Sequence, residues 1–431
     1  MIDSFQSVVN PARMTRTRSS LWRHRDFMLL WAGETISHAG TSVGRIALPL
    51  VAVILLSATP FQMGLLTAAG MLAFLLVGLQ AGAWLDRRAR RPVMLAADVA
   101  RGFLVLTVPL AWWADMLTFG HVLVVALLVG VATVFFDVAY QSYLPSLVGR
   151  DLLVDGNGKL EASRAVSEVG GPPFGGALVQ LLGAAIAVVA DAVGYFASAV
   201  ALASIRTEEP PPAPATHPRM RTQIAEGLRF VLGHPLLRPI TACTATSNLF
   251  SGVQAAVLML FLVRELGLSA GTIGLLFAAG GVGGVAGAMA SGWCARRVGQ
   301  ARIVWLSLVV AMPFGLLIPL AEPGWRVGLI VLAEAAFGFG VVVYNVAQVS
   351  FRQAICPDRL LGRMNASVRF MVFGTAPIGG LLGGVLGEVV GLRATLWIAA
   401  LGVLVAVGWV LASPLRTMRD MPALDPVGTP Q

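Results

Sequence analysis

The stretch Gly82–Arg91, GAWLDRRARR, decides the fold of this chain, because a long apolar run ends there in one acid and four arginines. The preceding run, residues 62–84, reaches the roughly 20 apolar residues that a helix needs to cross a bilayer. Basic residues that follow such a run keep a short connection in the cytoplasm. The stretch therefore predicts a membrane helix that ends at the cytoplasmic face.

The same alternation runs along the whole chain of about twelve apolar runs. Of the 31 Lys and Arg residues, 26 lie in the two tails or in every second connection. The remaining connections hold Arg264, Arg326 and Arg393, and two more arginines, Arg45 and Arg101, lie inside runs. This split predicts an even number of crossings, with both termini on the cytoplasmic side. We expect the membrane to be a bacterial plasma membrane.

Composition supports a membrane protein. The 431 residues are 57% hydrophobic and only 12% charged, with a mean hydropathy of +0.79, outside the range of soluble domains. The net charge of +9 fits arginines that face anionic lipid head groups, so we expect a lipid bilayer as partner and no nucleic acid.

The sequence lacks the motifs that would indicate disulfides, metal binding, ATP hydrolysis or catalysis. The three cysteines are scattered without a CxxC pair, so we expect no disulfide framework and no metal. The chain has no GxxxxGK[ST] loop for ATP, no cluster of catalytic residues and no sign of a cofactor. Energy for any work must then come from an ion gradient or from a partner protein.

The longest polar stretch lies in the middle of the chain and divides it into two groups of six runs. It combines a Pro-rich segment with an amphipathic helix, residues 219–232, which we expect to rest on the inner membrane surface. The predicted fold is an all-α membrane protein of twelve transmembrane helices in two six-helix bundles. The predicted parts are tail 1–26, bundle 27–205, linker 206–237, bundle 238–413 and tail 414–431.

The two bundles carry related sequences. The basic stretch after the second run has a degenerate counterpart in Gly292–Gly299 after the eighth run. Arg164 precedes Pro172 by eight residues, and Arg369 precedes Pro377 by the same spacing. An internal repeat of six spans is typical of secondary transporters.

At these residues the chain resembles the major facilitator superfamily. Gly82–Arg91 is similar to the signature loop of that superfamily between spans two and three, except for Ala89 where Gly is usual. The fifth run is similar to a glycine-proline motif of drug exporters, at Gly171, Pro172, Pro173, Gly175 and Gly176. Phe135–Pro145 and residues 157–164 resemble the bacterial branch of macrolide efflux and siderophore-export proteins, whereas the arginine motif usual in span four of exporters is absent.

The resemblance implies a gate at the cytoplasmic side. In the family, an acid in the position of Asp86 holds the two halves together when the transporter opens outward. The N-terminal end of span eleven is one expected partner, and Arg369 is another. The predicted gating residues are Asp86, Arg87, Arg90, Arg91 and Arg369; the alternative is that the arginines only fix topology.

Three carboxyl groups inside spans are candidates for proton coupling. Ionisable groups are expensive in a membrane and normally face a cavity or a partner. Asp137 lies deep in span four after two phenylalanines, Glu34 lies in span one, and Glu334 is the corresponding acid of span ten. Each could instead hold only a structural bond, as we expect for Asp191 and for the Asp98–Arg101 pair.

Other polar side chains follow helical spacing in the spans that line the central cavity of the resembled fold. Hydrogen bonding between helices is the alternative for each of them. The substrate-cavity candidates are His38, Arg45, Tyr140, Gln141, Thr244, Asn248, Ser251, Asn345 and Gln348.

Together these features predict a transporter rather than an enzyme, most simply a proton-coupled exporter of amphipathic small molecules such as drugs, macrolides or siderophores. An importer on the same fold is the first alternative, and a membrane enzyme acting on lipids is the second. The sequence does not identify the substrate, the coupling ion or the oligomeric state.

Overall fold

The computed structural model describes residues 21–85, 88–149, 152–207, 209 and 220–420, and within these ranges the chain is helical without strands. The N-terminal half contains seven helices and is followed by a linker helix. They are α1 Arg25–Leu50, α2 Pro60–Leu85, α3 Arg90–Trp113, α4 Phe119–Val148, α5 Leu153–Leu182, α6 Ala184–Ala187, α7 Val189–Ser204 and α8 Met220–Gly233.

The C-terminal half contains six helices with short irregular turns at several ends. They are α9 Leu237–Leu260, α10 Ala270–Val298, α11 Arg302–Ala311, α12 Gly328–Ile355, α13 Asp358–Val389 and α14 Leu392–Leu411. A π-helical turn extends α1 over Val51–Leu55, and another extends α9 over Phe261–Glu265. This rare turn thus recurs at the end of the first helix of each half, as an internal repeat predicts.

Ten helical segments of the described chain are long and apolar enough to cross a membrane. Two of the twelve predicted spans are not among them. α5 carries charged residues along its first half, and the segment Arg302–Leu317 has only sixteen residues. An all-helical membrane architecture is therefore observed, while the exact count of twelve crossings stays a prediction.

Equivalent helices pack in the same pairs in the two halves. In the N-terminal half, α1 packs on α5 and α7, while α4 packs on α2 and α3. In the C-terminal half, α9 packs on α13 and α14, while α12 packs on α10 and α11. Between the halves, the main contacts join α2 to α13 and α5 to α10.

The two ends of the molecule differ in how the halves meet. We call the end where α1 begins the basic end and the other the short-loop end. At the short-loop end a single apolar cluster contains buried residues of both halves, among them Val51, Met63, Leu260 and Ile273. Towards the basic end each half has its own cluster, around Phe27 in one and Phe351 in the other. The halves are therefore joined at one end and separate at the other.

Glycines bring the helices of the two halves together. A Cβ atom on Gly64 of α2 would lie 2.5 Å from the carbonyl oxygen of Gly380 in α13. A Cβ atom on Gly176 of α5 would meet Ala270 of α10 in the same way. Backbones approach this closely only where side chains are absent.

We expected the linker helix α8 to rest on the inner membrane surface. In the structure it packs against the C-terminal half. Its Gly227 packs directly against Arg363 and Ser367 of α13, and its Val231 is fully buried. Glu226 of α8 also forms an ion pair with Arg363. The apolar face of α8 thus covers the basic end of the C-terminal half.

α5 begins about ten residues before the apolar run that predicted it at residue 163. Its first turns are polar and are stabilised by pairs four residues apart, Lys159 with Asp155 at 2.5 Å and Arg164 with Glu168 at 3.5 Å. Such pairs favour a helix in water, so the helix continues beyond its apolar part.

Candidate functional site

A buried ion pair lies at the centre of the N-terminal half. Asp98 and Arg101 of α3 form a charge-assisted hydrogen bond, and the side chain of Asp98 is fully enclosed. The guanidinium of Arg101 lies over the rings of Phe136 and Tyr195, at 4.3 and 4.4 Å from their centroids. Two aromatic faces and a carboxylate compensate this arginine for the loss of water.

A second buried carboxyl group is held by hydroxyl groups. Thr41 of α1 donates to Asp191 of α7 at 3.1 Å and lies 3.2 Å from the hydroxyl of Tyr195. A Cβ atom on Gly44 would collide with the Asp191 carboxylate, so glycine at this position lets α7 approach α1. These contacts agree with a structural role for Asp191.

Glu34 differs from these two acids because it accepts no hydrogen bond from the described residues, whereas Asp98 and Asp191 each accept one. It is 4% exposed, and its Oε2 lies 3.7 Å from Nε2 of His38, one turn along α1. Its Oε1 is buried without a hydrogen-bond partner. A buried carboxylate in this situation either finds a partner or becomes neutral by taking up a proton.

Asp137 is exposed, whereas its two preceding phenylalanines led us to expect apolar surroundings. It forms no ion pair or hydrogen bond within the described chain, and the cations that act on it most are Arg101, Arg369 and Arg164. Arg369 belongs to α13 of the other half. Asp137 therefore faces the space between the halves on the side of the basic end, which we call the cleft.

Further polar groups share the cleft with Asp137. On α4, Gln141 is exposed and Tyr140 is half-buried, with its ring stacked near that of Phe136 at a centroid distance of 6.2 Å. On α1, His38 and Arg45 lie two turns apart on one helical face, and Arg45 is exposed. These predicted side chains of spans one and four are thus at least partly exposed.

Two of the five candidates in the C-terminal half connect helices. Thr244 of α9 lies 2.6 Å from the hydroxyl of Tyr344 in α12, and Asn248 donates to the carbonyl of Val372 in α13 at 3.2 Å. Gln348 is buried and lies 3.5 Å from the exposed Asn345, while Ser251 is half-buried. Of these five side chains, Asn345 alone is exposed, and the alternative of interhelical bonding fits Thr244 and Asn248.

Glu334 lies at the contact of α12 with α10. It is half-buried, and a Cβ atom on Gly280 would lie 3.3 Å from its Oε2. Within the described residues it has no ion pair, in contrast with Asp98 of the other half.

The predicted gating residues lie in different surroundings. Arg90 and Arg91, at the start of α3, contact Glu209 from the end of the N-terminal half. Arg369 is exposed, with its guanidinium 5.8 Å from the ring centroid of Phe74 in α2. Asp86 and Arg87 lie outside the described residues.

The glycine-proline motif of α5 packs on two helices at once. Cβ atoms on Gly171 and Gly175 would contact Ser42 and Val43 of α1, and the motif's Gly176 meets α10 of the other half. Both prolines, Pro172 and Pro173, lie within the helix. The motif therefore lies where α5 packs against α1 of its own half and against α10 of the other half.

Sequence reasoning missed the importance of three residues. Arg101 was assigned to a local pair, but its two aromatic partners come from α4 and α7. Tyr195 was not singled out, and neither was Glu209, which ends an acidic pair before the Pro-rich segment. The intramembrane position of Arg101 was the one available signal. Among the described residues, no cluster of three or more His, Cys, Asp or Glu side chains is arranged to hold a metal ion.

The helices, their duplicated packing and the polar cleft define a membrane transporter built of two similar halves. The sequence profile of the family described as "transmembrane secretion effector" matches residues 17–430. The chain belongs to this family of major facilitator transporters, which confirms the resemblance seen in Gly82–Arg91 and in the fifth span.

Among curated proteins, the chain is 30% identical over 429 residues to the enterobactin exporter EntS of Citrobacter koseri, covering 96% of this chain and 97% of the relative. Among solved structures, the nucleoside transporter NupG is similar with a TM-score of 0.73 at 12% identity, over 90% of this chain and 98% of NupG. Similarity at this low identity shows the shared fold.

A bacterial homologue of the iron transporter ferroportin is similar in two conformations. Its inward-facing structure gives a TM-score of 0.68 at 15% identity, over 90% of this chain and 98% of that one. Its outward-facing structure gives 0.58 at 16% identity, over 91% and 100%.

Proposed function

We propose that this protein is a proton-coupled exporter of amphipathic small molecules that works by alternating access between two six-helix bundles. One observation carries the proposal: the halves share an apolar cluster at the short-loop end and have separate clusters towards the basic end. Two halves that rock about a central site expose it to one side at a time, and this arrangement is one such state.

We assign the basic end to the cytoplasm, so the cleft is open inward. The distribution of arginines supports this orientation, because basic connections stay in the cytoplasm. The higher TM-score to the inward-facing ferroportin homologue than to its outward-facing form is consistent with it. Both termini would then be cytoplasmic.

The twelve crossings comprise the ten apolar segments together with α5 and the segment Arg302–Leu317. α5 qualifies because its second half is apolar and packs between α1 and α10. The bundles correspond to residues 27–205 and 238–413, joined by the linker that contains α8.

Export as the direction of transport is supported by the relative that exports enterobactin and by the glycine-proline motif of α5. The cleft combines aromatic side chains with polar ones, among them Tyr140, Gln141 and Asn345. Such a surface suits a bulky organic molecule that has both apolar and polar parts.

For coupling, we assign Asp137 as the group that exchanges protons with the cleft, because it is exposed and has no ion pair or hydrogen bond among the described residues. Glu34 is the enclosed acid behind it, and the charge of Arg101 acts on both. Protonation of either acid changes the charge balance around Arg101 and so the relative stability of the two states. Glu334 is the third candidate, in the other half.

For gating, we assign Asp86, Arg87, Arg90, Arg91 and Arg369 to the closure of the basic end. Arg369 already contacts Phe74 of the opposite half in the open state. Closing the cleft would bring the start of α13 towards the end of α2, where an acid could pair with it.

Transport by the purified protein in liposomes tests the proposal. Vesicles loaded with a fluorescent amphipathic dye, rhodamine B, are diluted into buffer at equal or lower pH. We expect efflux to accelerate when the outside is acidic and to return to the rate at equal pH when a protonophore removes the gradient. Equal efflux with and without the gradient would refute proton coupling, whereas uptake driven by the same gradient would refute export.

A further inference from the structure

We propose that the floor of the cleft binds an anionic oxygen group of the substrate through Arg45. This inference rests on the proposed function, since it names the class of molecule that the same cleft accepts. It starts from the position of Arg45, which lies on the α1 segment Arg25–Leu55, about 30 Å from the basic end by helix rise.

The face of α1 that carries Arg45 is fixed by its neighbours. Gly33, Gly40 and Gly44 contact α7, while Ser42 and Val43 contact α5. His38 and Arg45 lie on the remaining face. The charges of Arg164 and Glu168 in α5 act on His38, as does that of Arg45. Arg164 is also one of the cations that act on Asp137, so we place this face of α1 on the cleft.

Arg45 marks the closed end of the cleft. The next residues of α1, Ile46, Ala47 and Leu50, are buried in the apolar cluster that the two halves share. A molecule that enters from the basic end therefore meets Arg45 last, against an apolar floor.

Arg45 differs from Arg101 and Arg164 because it has no ion-pair partner among the described residues. Arg101 is compensated by Asp98 and two aromatic rings, and Arg164 pairs with Glu161 at 3.3 Å and with Glu168 at 3.5 Å. Arg45 forms no ion pair and no hydrogen bond among the described residues. Asp191 is the carboxylate on which its charge acts, but that carboxylate is already bonded to Thr41.

Ionisable side chains within membrane spans normally face a partner or a water-filled cavity, and they mark substrate pathways. Its planar set of N–H donors matches two oxygens of a carboxylate, phosphate or sulfonate, and such bonds are strong where water is scarce. The substrate class is therefore an amphipathic molecule with a delocalised oxyanion, whose apolar part lies against the floor and walls of the cleft.

The first test compares two dyes that differ in one group, rhodamine B with its free carboxylate and its methyl ester. Fluorescence polarisation measures their binding to purified protein in nanodiscs. We expect the acid to bind about tenfold more tightly than the ester, and Arg45→Gln to abolish this preference. Arg45→Lys should retain part of it, because the charge stays while the planar donor pair is lost. Arg326→Gln, which removes a paired and exposed arginine outside the cleft, is the matched control and should keep the preference.

Equal binding of acid and ester to the unaltered protein, or no binding of either, overturns the proposal, as does an unchanged preference in Arg45→Gln. Transport is not needed for this test. If rhodamine B binds through Arg45 but its efflux ignores the pH gradient, the proposed coupling fails while the anion site stands.

A second test needs no ligand. A single cysteine replaces His38, two turns from Arg45 on the same face, in a Cys294→Ser background. Reaction rates are measured with anionic sulfonatoethyl and cationic trimethylammonioethyl methanethiosulfonate. We expect the ratio of anionic to cationic rates to fall about tenfold when Arg45→Gln is added. An unchanged ratio would mean that Arg45 contributes no positive charge to the cleft, and the proposal would be wrong.

Discussion

The carboxylate of Glu209 binds the start of α3 through Arg90. It accepts the backbone N–H of Arg90 at 2.9 and 2.7 Å and that of Arg91 at 3.2 Å, and it pairs with the Arg90 guanidinium at 3.0 Å. Arg91 in turn donates to the carbonyls of Leu202 and Ala203 at the end of α7. One acid and two arginines thus tie the ends of two helices together at the basic end, with a negative group at a helix N-terminus.

Replacing Glu209 by Gln should destabilise the N-terminal half, because the side chain is only 7% exposed and loses its charge-assisted bonds. We expect a loss of about 1–3 kcal/mol, seen as a lower temperature of thermal unfolding in detergent. Glu322→Gln is the matched control, since its pair with Arg326 is exposed and contributes little. Equal temperatures of thermal unfolding for the two variants would show that Glu209 does not stabilise the basic end.

Asp86→Asn should leave the protein inserted and expressed but impair transport. The proposed latch loses a charge-assisted contact worth about 1–3 kcal/mol, which favours the inward-open state. The measurement is dye efflux together with labelling of cysteines that line the cleft. Normal efflux without increased labelling would contradict the latch.

The orientation can be tested by cysteine labelling in intact cells. A cysteine at Pro212, which lies outside the described residues, should react only from the cytoplasm, and one at Pro60 only from outside. The reason is the concentration of arginines in alternate connections. Reaction of the Pro212 position with an impermeant reagent added outside would reverse the assignment of every loop.

Asp137→Asn imitates the protonated acid with nearly the same size. We expect this variant to bind substrate and to exchange it, but not to move it against a gradient, because no proton is released. Efflux from liposomes with and without an imposed pH gradient decides the matter. If the variant responds to the gradient as the parent does, coupling belongs to Glu34 or Glu334, or to another ion.

Gly64→Ala should weaken the contact between the halves at the short-loop end, since the added methyl group would lie 2.5 Å from a backbone oxygen of α13. We expect slower efflux and more reaction of a cysteine placed at Leu66, in the shared cluster. Gly70→Ala, on the same helix with nothing within 4 Å, is the control and should behave as the parent. Identical behaviour of the two variants would mean that this contact does not govern closure.

The sequence by itself determined the all-helical membrane class and the family, because both depend on patterns that are visible along the unfolded chain. The length of an apolar run, the position of arginines after Leu85 and the spacing of Arg164 to Pro172 can each be read along the chain. They report on the bilayer, a solvent whose thickness and charge asymmetry constrain the chain directly.

Only the tertiary structure decided which polar groups are paired. Asp98 and Arg101 are neighbours on one helix, but the rings that enclose Arg101 come from two other helices. Conversely, the sequence does not distinguish Arg45 and Asp137 from other intramembrane charges. Only the structure shows that neither has an ion pair or a hydrogen bond among the described residues. The cost of a charge in a membrane depends on what surrounds it in three dimensions, and helical spacing alone gives only the face on which it lies.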